Sequence, residues 1–190
     1  MSSPVRVLGI AGSLRRASYN RGLLRAAVEV APPEVELVTF DLRPVPLYDG
    51  DVEAEGDPEP VRLLKEQVAA ADALLVVTPE NNYSIPGVLK NALDWASRPP
   101  QSALRHKPVA LMGATPGGFG TVRAQLALRQ VFVFTDSYVL PKPEVWVSRA
   151  REHFDEDGNL TDDAIRSELG GLLSALADWT RRLAAGEVTT

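Results

Sequence analysis

The chain has 190 residues, of which 45% are hydrophobic, and a formal net charge of -5 at pH 7. That is enough apolar material for one domain's core, expected to span residues 1–190, and the acidic balance without any basic run excludes nucleic acid as a partner. No apolar stretch reaches the ~18 residues of a membrane span, and no secretory apolar region opens the chain. The lack of cysteine removes disulfides, thiolate metal sites and cysteine nucleophiles, so a cytoplasmic protein without a membrane partner is expected.

The first element is the apolar run Val5–Ile10, which reads as a buried strand. It leads into Gly12-Ser13-Leu14-Arg15-Arg16-Ala17-Ser18-Tyr19-Asn20 and then a helical pattern with Leu23, Leu24, Ala27, Val28 and Ala31 on one face. Strand, hydroxyl-rich loop and helix start in that order gather serines, arginines and free backbone N–H groups at one point, where anions settle. The nucleotide triphosphate loop is absent, since no lysine precedes Lys65, and the dinucleotide fingerprint G-x-G-x-x-G is absent too. Hydroxyls with a guanidinium suit a terminal phosphate monoester, which carries nearly two charges. The competing reading is an ordinary strand-to-helix turn capped by Ser18 or Asn20.

Val35–Phe40 reads as the second strand, followed by Asp41 to Pro60, a Pro-, Gly- and acid-rich stretch expected to be a long loop. Asp51, Glu53, Glu55 and Asp57 alternate there without the spacing of a calcium loop. Val61, Leu64, Val68 and Ala71 then line a helix, and Ala73–Thr78 is the third strand. The next helix carries Ile85, Val88, Leu89, Ala92, Leu93 and Ala96 on one face, with Ser84 expected as its N-cap and Pro86 in its first turn. Pro108–Ala114 forms the fourth strand and ends in Thr115-Pro116-Gly117-Gly118-Phe119-Gly120, a loop whose glycines let backbone approach a flat ring. A helix from Thr121 to Phe134, a short strand Tyr138–Leu140, an irregular stretch from Pro141 to Asp162 and a helix to Ala185 complete the chain. His106 and His153 stand alone beside charged residues and read as solvated surface groups.

Alternating strands and helices without repeats imply an α/β fold, a parallel sheet with helices on both faces. The best topology is five-stranded, of order 2-1-3-4-5, in which ligands bind at the carboxyl ends of the first and third strands. Both polar loops begin at those two ends.

The segment Thr78 to Pro99, T-P-E-N-N-Y-S-I-P-G-V-L-K-N-A-L-D-W-A-S-R-P, resembles the signature of the NADPH-dependent FMN reductase family, T-P-E-Y-N-x-S-x-P-G-x-L-K-N-x-x-D-W-x-S-R. The first loop matches the family's G-S-x-R-x-x-S-x-N, and Pro46-Leu47-Tyr48-Asp49 extends the likeness over essentially the whole chain. The resemblance implies a flavodoxin-like three-layer sandwich and an FMN cofactor reduced by NADPH or NADH. It also implies a small-molecule electron acceptor (a quinone, azo compound, flavin or oxidised metal anion) and a homodimer or homotetramer.

Carried over residue by residue, Ser13, Arg15, Ser18 and Asn20 are expected at the FMN phosphate, with Tyr19 as a packing or backbone contributor and Arg16 in solvent. Pro79, Glu80, Asn81, Asn82, Tyr83 and Ser84 are expected along the flavin edge, Glu80 through its backbone, with its carboxylate bracing the loop or a partner subunit. Thr115 and Gly118 are expected beside the ring, and Phe119 reads equally as core. No acid–base constellation or metal cluster stands out, as suits chemistry carried by a cofactor. The helix ending near Trp95 and the one around Arg123 are the expected subunit faces, with Arg123 and Glu144 a candidate pair across them. Asn81, where the family has Tyr, predicts a wider and more polar opening, and tolerates left-handed backbone better than Tyr.

A flavodoxin-like electron carrier serving a protein partner is the rival reading, although the Thr-rich phosphate loop of that class is missing. A receiver domain shares the strand order but needs acids where Ser13 and Pro79 stand, and Lys142 does not restore it.

Overall fold

The computed structural model describes residues 3–98 and 102–186, so Pro99 at the end of the second motif lies outside it. Strands β1 (Val5–Ala11), β2 (Val35–Phe40), β3 (Ala73–Val77), β4 (Pro108–Ala114), β5 (Tyr138–Val139) and β6 (Val145–Val147) form one parallel sheet. Its path is β2-β1-β3-β4-β5, with β6 also paired to β4. The helices are α1 (Tyr19–Glu29), α2 (Gly50–Glu55), α3 (Glu59–Ala70), α4 (Gly87–Ala96), α5 (Val122–Phe134) and α6 (Asp163–Gly186). This is the expected flavodoxin-like order.

Alternation along β3 shows why its sequence is apolar throughout. Leu75 and Val77 pack with Leu23 and Leu24 of α1 and Leu172, Leu173 and Leu176 of α6. Leu74 and Val76 pack on the other face with Leu64 and Val68 of α3, Leu89 and Leu93 of α4, and Leu128 and Phe132 of α5. A strand covered on both faces has no polar side to present, and each fully buried Leu or Phe contributes about 1.5–3 kcal/mol.

Four local expectations are corrected. The stretch Asp41 to Pro60 holds α2, whose N-cap Asp49 accepts the Asp51 N–H at 2.9 Å. It is fastened to α4, because the Pro46 carbonyl accepts from Asn91 Nδ2 at 2.8 Å and from Trp95 Nε1 at 3.0 Å. Trp95 is therefore fully buried, not a subunit face. Nearby, the Glu53 carboxyl accepts from Arg98 and from the Tyr48 hydroxyl, which hold its pKa below the usual range.

The region after β5 is not irregular either. It returns as β6, which continues the edge along the second half of β4 (Met112 opposite Val145, Ala114 opposite Val147), and then forms a 3-10 turn at Ala150–Glu152. Three residues after the Pro141-Lys142-Pro143 stretch give too short a pattern to read as a strand. Finally, α4 starts at Gly87 with Pro86 as N-cap, and Ser84 belongs to a hairpin with Asn81 instead of capping the helix.

The carboxyl ends of β1, β3 and β4 converge beside the start of α1. Asn20, in the first turn of α1, is 3% exposed. Its Nδ2 donates to the Ala114 carbonyl at 2.8 Å and its Oδ1 accepts the Ala114 N–H at 2.9 Å, which ties α1 to the end of β4. Asn20→Ala leaves a buried N–H and a buried carbonyl without partners, at a cost of about 2–4 kcal/mol. The expected result is a fall of roughly 5–15 °C in the apoprotein melting temperature; a shift of under about 1 °C would contradict the tie.

Candidate functional site

A cavity of about 620 Å³ opens where these strand ends meet. Of the residues expected from sequence, Ser13, Arg15, Ser18, Tyr19 and Asn20 line it from the first loop, Pro79, Glu80 and Asn81 from the end of β3, and Thr115 from the end of β4. Asn82, Tyr83, Ser84 and Gly118 do not line it.

The first loop presents a helix start with little intramolecular use for its donors. The first N–H bonded within α1 is that of Gly22, to the Ser18 carbonyl at 2.9 Å, so those of Tyr19, Asn20 and Arg21 precede the ladder. Ser18 occupies the capping position with extended backbone, yet its hydroxyl makes no capping bond. The Arg15 guanidinium lies 5.5 Å from the centroid of the Tyr19 ring, whereas Arg16 is exposed and lies off the cavity wall. The side-chain amide of Asn20 departs from the expectation: both its polar atoms face Ala114, and only its main chain is left toward the loop.

At the end of β3, Glu80 turns its carboxylate away from the cavity centre. Its Oε2 accepts the N–H groups of Arg123 at 3.0 Å and Ala124 at 3.4 Å, and its Oε1 accepts from Arg123 Nε at 2.6 Å. Thr121, the N-cap of α5, makes no side-chain cap bond, so Glu80 supplies the missing acceptor and meets the positive end of the helix. The carboxylate braces within the chain. Within the chain Arg123 pairs with Glu80, and Glu144 contacts Arg129 at 3.5 Å and Lys142. Hydrogen bonding to Glu80 raises the Arg123 pKa, making the guanidinium a fixed cation.

Asn81 and Ser84 exchange main-chain bonds at 3.1 and 3.0 Å around Asn82 (φ 48°) and Tyr83 (φ 68°), a tight turn with both central residues left-handed. The left-handed demand thus falls on Asn82 and Tyr83, not on Asn81. For a ring-bearing residue such as Tyr83 that conformation is unfavourable. It is held by Arg123, whose guanidinium carbon lies 3.7 Å from the Tyr83 ring centroid and 4.6 Å from that of Phe119. Both rings remain open to solvent, at 73% and 65% exposure. Because the hairpin engages the N–H groups of Asn81 and Ser84 and Pro79 has none, the donors left on this segment are those of Glu80, Asn82 and Tyr83.

Arg151, in the 3-10 turn after β6, also lines the cavity and was not anticipated. No motif marks it, because it lies in the stretch that reads as irregular. The two histidines are not simply solvated: His153 Nδ1 lies 2.8 Å from Asp162 Oδ2, and His106 Nε2 lies 2.9 Å from Asp136 while its ring stacks on Tyr138.

Residues 5–152 match the family model of the NADPH-dependent FMN reductases. The chain is 51% identical over 183 residues to an NAD(P)H-dependent FMN reductase of Pseudomonas aeruginosa, covering 96% of this chain and 99% of the relative. It is 41% identical over 182 residues to a quinone reductase of Pseudomonas putida, covering 95% and 97% respectively. Among solved structures it superimposes on the flavoenzyme NAD(P)H:(acceptor) oxidoreductase FerB of Paracoccus denitrificans with a TM-score of 0.84 at 34% identity, over 94% of this chain and 98% of that one. A flavin-reductase motif pair, a cavity at the strand-order reversal and full-length relatives agree, and the chain belongs to the NADPH-dependent FMN reductase family.

Proposed function

We propose that this chain holds FMN in the cavity between the first loop and the ends of β3 and β4, and uses NADPH or NADH to reduce a small-molecule acceptor. The observation that carries the reading is the pairing of an underused helix N-terminus and Arg15 with a flat hairpin wall. A monophosphate fits this end of the cavity, since two hydroxyls, one guanidinium and the main chain of Tyr19 and Asn20 at the start of α1 line it. A dinucleotide bridge has no close-packed glycine turn to lie on. The volume lies within the range of cofactor sites.

When bound, FMN supplies the redox chemistry, taking hydride from the nicotinamide and passing reducing equivalents to the acceptor. The protein's part is placement and electrostatics. Ser13, Ser18 and Arg15 hold the phosphate, with Tyr19 and Asn20 contributing main-chain donors. Pro79 and Asn81 bound the ring edge and the N–H of Glu80 supplies a fixed donor where negative charge develops, while Asn82, Tyr83 and Ser84 shape the hairpin at the rim. Thr115, with the Gly118 loop behind it, closes the side below β4. Turning the Glu80 carboxylate into α5 keeps a negative charge off an electron-rich ring. Quinones, azo compounds, free flavins and oxidised metal anions are the proposed acceptor classes, admitted past the exposed Tyr83 and Phe119. A homodimer or homotetramer is proposed from α5, whose outer face carries Leu126, Val133 (80% exposed) and Phe134 (89% exposed).

Purified protein is expected to release FMN, not FAD, on heating, and its flavin absorbance is expected to bleach on anaerobic addition of NADPH or NADH alone. FAD would overturn the cofactor assignment, and a flavin that neither nicotinamide bleaches would point to an electron carrier. Arg15→Ala removes a charge-assisted bond of about 1.5–3 kcal/mol, so FMN affinity should fall roughly tenfold to a hundredfold, while Arg16→Ala should change it much less. Equal losses at both positions in flavin titrations would refute the division of roles.

A further inference from the structure

We infer that Arg151 is a second cation for the FMN phosphate, which would make this chain's preference for FMN over riboflavin the work of two arginines that approach from different parts of the sequence. The inference rests on the reading of the cavity given above and assigns a residue that neither loop motif contains.

The position of Arg151 is fixed by the chain around it. The Ala150 N–H donates to the Thr115 carbonyl at 3.0 Å and the Glu152 N–H to the Arg149 carbonyl at 2.8 Å, so the turn is pinned to the end of β4. Farther along, the Phe154 ring packs on Tyr19 with centroids 5.1 Å apart. The main chain at Gly158 lies directly against Ala17 and Gly22, where it leaves no room for a side-chain carbon on Gly22. Arg25 closes the contact by donating to the Gly158 carbonyl at 3.0 Å and to Asn159 Oδ1 at 2.8 Å. The segment carrying Arg151 is therefore pinned to the end of β4 and packed on the first loop and the start of α1, the proposed phosphate end.

Charge points the same way. A phosphate monoester carries about -1.5 to -2 at neutral pH, more than one guanidinium balances. Of the neighbouring arginines, Arg21 and Arg43 pair with Asp41 and Arg123 with Glu80, while Arg16 is exposed and lies off the cavity wall. Among the described residues Glu80 is the one carboxylate on the cavity wall, and Arg123 neutralises it. Arg15 and Arg151 have no carboxylate within ion-pair distance among the described residues, so they give the cavity two uncompensated positive charges in a protein of net charge -5. A dianion at the α1 start matches that balance.

The test is titration of apoprotein with FMN and with riboflavin, followed by flavin fluorescence. Because Arg151 is exposed and makes no ion pair among the described residues, Arg151→Gln is expected to melt like the parent. It should weaken FMN binding by about fivefold at low salt and leave riboflavin binding within about 1.5-fold, as loss of one partly solvated charge-assisted contact requires. The difference should shrink below about twofold in ~1 M salt, where screening acts within ~3 Å, and Arg151→Lys should recover most of it at low salt. Unchanged FMN affinity, or a parallel loss for riboflavin, overturns the assignment. If Arg15→Ala removes the preference for FMN while Arg151→Gln does not, only Arg151 is misassigned. If the parent protein itself shows no preference for FMN over riboflavin, the reading of the phosphate end fails.

Discussion

One buried carboxylate organises the working end of this molecule. Glu80 leaves the end of β3 and reaches the first turn of α5, where main-chain donors and a guanidinium share it. A carboxylate out of water is tolerable only with such partners, and each partner constrains something else. Because Arg123 is held by Glu80, it lies against Tyr83 and Phe119 and joins the loops after β3 and β4 into one wall. Because Thr121 stands in left-handed backbone without capping its own helix, α5 depends on a residue from another strand. Loosening this one contact would release a helix start, a strained turn and an aromatic pair together.

The electrostatic division of the cavity follows. Its acidic group is neutralised by internal pairing, and its basic groups have no carboxylate partner among the described residues, so the opening is locally positive in an acidic protein. Donors of the hairpin that would otherwise point at a ring edge are partly consumed in closing the turn. Those that remain are fixed by the fold before any ligand arrives, which is the condition under which dipoles act most strongly.

The sheet order and both core faces were legible because they rest on patterns that survive without tertiary information: continuous apolar strands, helical stripes, and loops placed at the reversal of strand order. The first loop and the segment after β3 were legible for the same reason, as contiguous motifs. What could not be read were contacts between residues far apart in the chain. Nothing in Asn20 announces Ala114, and nothing in Glu80 announces Arg123. The Asn20 amide read as a ligand group because its residue type also suits that work, and the Glu80 carboxylate read as a brace whose partner was not legible. Arg151 shows the reverse case, a charged residue in an apparently featureless stretch that the fold carries to the cavity. The small elements α2 and β6 were missed because six and three residues respectively are too few to establish a period.

The broken edge strand has a consequence beyond topology. β5 and β6 together run along one border of the sheet, with no further strand beside them among the described residues. A long, flat border of that kind invites strands of other molecules to add to it and grow into insoluble assemblies. Here Pro141 and Pro143, which lack N–H groups, and the charged Lys142 separate two pieces of two and three residues. Neither piece is long enough to template an incoming strand, so the interruption that hides β6 from the sequence also protects the molecule from aggregating through its edge.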